Sequence, residues 1–409
     1  LRTKTTHSDA DRSSRRLLLL LGVFLIAMNL RAPFTGVAPL LDMLKDTFDL
    51  NAAQAGLLIT LPLLAFSIVS PFAAGLAGRF GLERTLMMSL IVIAGGIFVR
   101  SSGSGLGLYI GTAIIGGGIA IGNVLLPSIL KRDFPDRVAS LTAAYVLVMG
   151  CTAAALSTLA VPFAQMENSD WRLALAASVL LPILAALAWL PQLRSNGTTV
   201  MSNKKAAVQG RIWHSPLAWQ VTLFLGLDCF LYYVGVSWLP AILRDASFTE
   251  AQAGSMHGVL LLSTALPGLV LIPLAPRMKD QRHAACLLAL SIMIGLMGLH
   301  ILPSLAVLWI VFFGFGAGGG LILALSFVSL RTVNASDAAA LSGMSQCIGY
   351  LLAATGPTLV GSIHDVSGGW GTPLIVCAAL SIAMAVVGLL AGRNVQVTLE
   401  VTSRPGSAR

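Results

Sequence analysis

LLLLLGVFLIAMNLRAPFTGVAP, residues 17–39, decides how the chain is read. As a helix this run of 23 residues rises about 35 Å, enough to cross the ~30 Å hydrocarbon core of a bilayer, and its one ionisable side chain is Arg31. Eleven further runs share its character: 51–77, 84–101, 106–130, 138–163, 171–191, 215–243, 251–275, 283–302, 304–330, 338–363 and 371–392. The whole chain agrees. It has 409 residues, 56% hydrophobic and 11% charged, with a mean hydropathy of +0.84. A soluble domain carries about 25% charged residues, so too little polar surface is present to cover a globule in water. The pattern predicts an all-α membrane protein of twelve transmembrane helices.

The net charge of +9 does not indicate a nucleic-acid partner, because the basic residues lie in short loops between apolar runs. With the N-terminus placed in the cytoplasm, 21 of the 26 Lys and Arg residues fall on the cytoplasmic side and four on the outer side: Lys45, Arg100, Arg172 and Arg244. This positive-inside bias puts both termini in the cytoplasm. The five cysteines, Cys151, Cys229, Cys286, Cys347 and Cys377, sit in apolar stretches without a CxxC pair. They read as small packing residues, and neither a metal site nor a cofactor is expected.

The chain repeats itself. AQAG at 53–56 recurs at 251–254, GGG at 116–118 recurs at 318–320, ASLT at 139–142 matches AALS at 339–342, and Trp171 matches Trp370, with offsets of 198, 202, 200 and 199 residues. The organisation that follows is a cytoplasmic tail over 1–16, a six-helix bundle over 17–191, a cytoplasmic linker over 192–214, a second six-helix bundle over 215–392 and a cytoplasmic tail over 393–409. An offset of six helices preserves orientation, so the halves are parallel repeats about an axis along the membrane normal, the plan of the major facilitator superfamily.

The loop AAGLAGRFGLER (73–84) resembles that superfamily's signature between helices 2 and 3, with Gly78 where the family places an acidic residue. NLRAPFTGVAPLL (29–41), GGGIAIGNVLLPSILKRDFP (116–135) and AALSGMSQCIGYLLAATGP (339–357) resemble the cyanate-porter and nitroimidazole-exporter branch, and the similarity runs from about residue 17 to 393. The resemblance implies a monomeric secondary transporter of a bacterial cytoplasmic membrane. Its small-molecule cargo would be planar or anionic, nitroimidazole-like or cyanate-like, with export favoured over uptake.

An intramembrane guanidinium is costly and needs a partner or a use. Arg31 is therefore the first candidate for binding paired oxygens, which its planar fork matches; a structural ion pair or snorkelling to the outer interface is the alternative. Aligning Pro39 with Pro240 makes Tyr232 the repeat equivalent of Arg31 and puts Asp228 one turn away on the same face. Asp228 is expected to pair with Arg31, to carry a coupling proton or to sit in a solvated position. The other candidates for the substrate site are Asn29, Thr35, Asn123, Tyr145, Tyr232, Tyr233, Trp238, Gln346 and Tyr350, and His257 is a second coupling or ion-pair candidate. Gln346 and Tyr350 stand four apart on one helical face. No GxxxxGK[ST], HExxH or GxSxG segment occurs, so the expected activity is transport driven by gradients, not ATP hydrolysis or another enzymatic reaction. A membrane sensor that binds ligand without moving it is the rival class.

Overall fold

The computed structural model describes residues 3–50, 52–166, 170–193 and 212–397, and every regular element among them is helical. The first half contains α1 (Thr3–Asn29), α2 (Ala32–Thr35), α3 (Leu41–Phe48), α4 (Ala52–Phe80), α5 (Leu82–Arg100), α6 (Gly105–Asp133), α7 (Val138–Ala164), α8 (Trp171–Ala177) and α9 (Leu180–Leu193). The second half contains α10 (Pro216–Asp245), α11 (Glu250–Ser263), α12 (Leu266–Leu274), α13 (Arg282–Ile301), α14 (Ala306–Leu330), α15 (Ala335–Ser367) and α16 (Gly371–Ala391). Most of the expected linker and the end of the C-terminal tail lie outside the described residues.

Each of the twelve expected spans is occupied by helix, and three are broken. Each break is followed by a proline four residues on. Proline has no N–H to donate and its ring crowds the carbonyl four residues earlier. Pro33, Pro182 and Pro267 point back to Asn29, Ser178 and Ser263. α1 ends at Asn29, α8 is capped by Ser178, and α11 ends at Ser263.

Among the described residues eleven of the twelve expected spans qualify by length and hydropathy to cross a membrane, and the one formed by α15 falls short. The reason is position. α15 packs against α4, α6 and α10, and Ser342, Ser345 and Gln346 on it are fully buried. A helix that faces protein can carry polar residues that lipid would penalise. The bundle's outer surface is the reverse: Ile68, Phe72, Ile91, Phe98, Leu187, Leu269 and Leu287 are exposed, as lipid-facing side chains must be.

The two halves meet at equivalent points. A Cβ added to Gly343 of α15 would stand 3.0 Å from the Ser70 carbonyl oxygen of α4. One added to Gly268 of α12 would stand 3.4 Å from the Ala143 carbonyl oxygen of α7. Ser70 and Gly268 are 198 residues apart, and Ala143 and Gly343 are 200 apart, so these two interfaces are one interface related by the repeat. Between α6 and α14, Ser329 Oγ donates to the Pro127 carbonyl at 2.9 Å, and these residues are 202 apart. Ser140 Oγ of α7 donates to the Ile272 carbonyl of α12 at 3.0 Å. All these contacts lie towards the end of the bundle that carries the basic loops, called here the basic end.

That end is also tied within each half. Arg132 forms an ion pair with Glu83 at 2.7 Å, and Arg331 Nη2 donates to Gln281 Oε1 at 2.5 Å. Arg132 and Arg331 are 199 apart, and Glu83 and Gln281 are 198 apart. The first half supplies its carboxylate from Glu83, not from position 78. Gly81, between the two, adopts φ +90° at the turn into α5, where a Cβ would be strained.

Candidate functional site

The break between α1 and α2 builds the site. Arg31 is the residue before α2, with φ −137° and ψ −43°, and the chain turns there before Ala32 and Pro33 restart the helix. Carbonyls freed by such a break must find donors or water. One donor comes from α5: Arg100 Nη1 gives a 2.5 Å hydrogen bond to the Pro33 carbonyl, and Nη2 reaches Ser178 Oγ at 3.5 Å, at the break between α8 and α9. Arg100, expected on the outer side, is fully buried and braces two broken helices.

Arg31 stands at the neck between two connected spaces. The wider, of about 320 Å³, opens away from the basic end and is lined by Arg31, Thr35, Ser157, Tyr232, Tyr233 and His257 among others. The narrower, of about 50 Å³, lies further in and is lined by Asn123, Asp228, Cys229 and Tyr350 among others. Arg31, Phe34, Tyr232, Tyr233 and Thr264 belong to both. Below the neck, Phe34, Phe66 and Tyr350 form a chain of ring contacts, with centroids 6.1 Å and 4.9 Å apart in turn. Phe66 and Tyr350 come from different halves, so these rings and the contacts beneath them close the cavity towards the basic end.

The guanidinium of Arg31 donates to the phenol oxygen of Tyr232 and lies 4.9 Å from the centre of that ring, within cation–π range. The expected pairing of Arg31 with Asp228 is not formed: among the described residues Arg31 has no carboxylate within ion-pair distance, and Asp228 Oδ1 has no hydrogen-bond partner. Arg31 is engaged by Tyr232 instead. Asp228 instead lies against α14 at Gly320, where an added Cβ would strike its Oδ1.

The structure sorts the other candidates. Thr35, Asn123, Tyr232, Tyr233 and Tyr350 line the cavity, as does His257 near its mouth, where His257 Nε2 lies 3.2 Å from the Val236 carbonyl. Asn29 does not line it; it is fully buried, and its Nδ2 donates to the Leu25 carbonyl at 2.8 Å. Tyr145 is buried at the half interface, outside the lining of either space. Trp238 turns outward to Trp370, at 5.2 Å between centroids, and its Nε1 donates to the Pro357 carbonyl at 2.8 Å. Gln346 sits one turn nearer the basic end than Tyr350, below the ring floor, bonded to Ser342 Oγ at 2.9 Å. Residues that the sequence does not single out are Phe34, Phe66, Thr264 and Arg100. The first three look like ordinary span residues; a basic side chain at the very end of a span is the one available signal for the fourth. Among the described residues no cluster of His, Cys, Asp or Glu could hold a metal ion.

A cavity between two six-helix halves, open at one end and closed at the other by repeat-related contacts, has a counterpart in sequence: a family model described as Major Facilitator Superfamily matches residues 19–354. The chain belongs to the Major Facilitator Superfamily. It is therefore a multi-pass membrane transporter and not an enzyme. Within the superfamily it is 50% identical over 392 residues to the 2-nitroimidazole transporter of Escherichia coli (strain K12), covering 96% of this chain and all of that protein. It is 29% identical over 360 residues to the cyanate transport protein CynX of the same organism, covering 86% of this chain and 91% of that one. The solved structure of the proton:xylose symporter XylE bound to 6-bromo-6-deoxy-D-glucose superposes with a TM-score of 0.76 over 94% of this chain and 98% of that one, at 14% identity. At that identity the likeness concerns the fold alone.

Proposed function

We propose that this Major Facilitator Superfamily member moves a small planar, nitroimidazole-like solute across a bacterial cytoplasmic membrane by alternating access, with export the favoured direction. The observation that carries the reading is Arg31: a guanidinium at the neck of the central cavity, held by a phenol and by no carboxylate among the described residues. A planar fork so placed can donate to the two oxygens of a nitro group in one plane. Tyr233, Tyr350 and Phe34 supply ring faces around it for a flat heteroaromatic. A cavity of about 320 Å³ lies at the small end of the range for ligand sites. The name of the 50%-identical relative supports the same cargo class.

In this reading both termini and the linker 192–214 are cytoplasmic, the halves 17–191 and 215–392 rock about the Arg31–Tyr232 contact, and the described state faces outward. Asp228 is the candidate for a coupling proton. Uptake of cyanate or another small anion is the second reading, because a cation without a carboxylate partner also suits an anion. Counterflow in proteoliposomes separates these. Preloaded 2-nitroimidazole should drive uptake of labelled 2-nitroimidazole, with cyanate competing weakly. Efficient exchange of cyanate alone would favour the second reading, and no exchange of either would leave a sensor.

A further inference from the structure

Asp228 is 1% exposed, and its Oδ1 has no hydrogen-bond partner among the described residues. A buried carboxyl oxygen without a donor is expensive, and α14 makes room for this one with Gly320, whose Cβ, if it had one, would meet Oδ1. Asp228 is among the residues that line the inner space, with Arg31 and Asn123, while its Oδ1 rests against α14. It lies one helical turn from Tyr232, which holds Arg31, so acceptor and cation are presented from neighbouring levels of one small cavity.

We infer that Asp228 receives a ring N–H of the solute while Arg31 holds its oxygens, so that the site selects azoles with a free N–H beside an oxygen-bearing substituent. The inference rests on the nitroazole reading proposed for the cargo. A nitro group offers acceptors to the guanidinium, and the adjacent ring nitrogen offers the donor that Asp228 lacks. A solute lacking the donor leaves the carboxyl stranded, which is how a site built around a hydrogen bond rejects a near-isostere. Cyanate, with acceptors and no donor, fits half of this site.

The test is binding to the purified full-length protein in detergent, by titration calorimetry, of three probes: 2-nitroimidazole, 1-methyl-2-nitroimidazole and 4-methyl-2-nitroimidazole. The 4-methyl compound adds the same bulk and keeps the N–H. The wild type should bind the parent and the 4-methyl compound alike, and the 1-methyl compound at least about tenfold more weakly. In Asp228→Ala the preference should collapse to within about twofold, because the acceptor is gone while Arg31 remains. Equal wild-type affinities for parent and 1-methyl compound would overturn the inference and leave the proposed cargo standing. Preference retained in Asp228→Ala would also overturn it. Absence of binding by all three probes would defeat the inference together with the cargo reading. The wild-type comparison decides the matter even if Asp228→Ala does not fold.

Discussion

Arg31 and Tyr232, 201 residues apart in sequence and equivalent in the repeat, touch each other across the interface between the halves. Positions related by a two-fold axis can contact one another only where they lie close to that axis. The contact therefore marks where the axis passes, and it passes through the neck of the cavity. Identical residues there would have made the site symmetric. An arginine facing a phenol makes one wall cationic and the other aromatic, so a bound solute meets two different surfaces.

Arg31→Lys keeps the charge and loses the planar fork. Affinity for 2-nitroimidazole should fall by about 1.5–3 kcal/mol, roughly ten- to a hundredfold, while the protein still expresses and melts cooperatively. Titration of both proteins beside their ligand-free melting curves checks this. Equal affinities would exclude bidentate recognition.

Arg100 touches neither space of the cavity, yet it should matter to binding. Arg100→Lys retains a buried cation but cannot reach both the Pro33 carbonyl and Ser178 Oγ. Stability should drop by about 1–3 kcal/mol, and affinity should drop with it, because the Pro33 carbonyl is two residues from Arg31. A variant that melts lower but binds with undiminished affinity would confine Arg100 to structure.

The contact between Gly343 and the Ser70 carbonyl can be wedged. Gly343→Val places branched bulk where the helices are in near contact, and overpacking of that kind costs about 1–3 kcal/mol. Charged to the closed basic end alone, this shifts the conformational balance about five- to a hundredfold towards opening there. A Ser157→Cys reporter in the wide cavity should then react more slowly with an impermeant thiol reagent added from outside. Unchanged reactivity would mean that the glycine contact does not govern the closure.

Orientation is open to direct measurement. With the five native cysteines replaced by serine, Val366→Cys should be labelled in intact cells by an impermeant maleimide. Lys279→Cys should be labelled only after the membrane is opened. The reverse pattern would invert the topology.

Much of this architecture is legible in the amino-acid sequence. The spans follow from hydropathy, and the halves from four offsets near 200. The alignment of Pro39 with Pro240 makes Tyr232 the equivalent of Arg31, and these two residues are in contact. The facing of individual side chains is not legible. α10 is apolar nearly all round, and α15 carries polar residues on its packed faces, so no stripe tells the cavity side from the packed side. That Trp238 and Gln346 face packed helices is therefore not evident from the sequence. Hydropathy also undervalues α15, whose polar residues are shielded by protein. The missing acidic residue of the 73–84 loop misleads in its own way: the ion pair is made by Glu83, five positions further on.

Among the described residues, the cross-half contacts at the basic end include a carbonyl against a glycine on either side of the axis, two hydroxyl-to-carbonyl bonds and a pair of aromatic rings. None of them joins formal charges. Ionic screening, which acts over about 8 Å at physiological salt and weakens exposed ion pairs, therefore has little hold on these contacts. Their strength comes from close packing between helices that are themselves bathed in lipid. If the halves alternate as proposed, these contacts should respond less to the salt content of the cell than to the thickness and lateral pressure of the bilayer that squeezes the bundle.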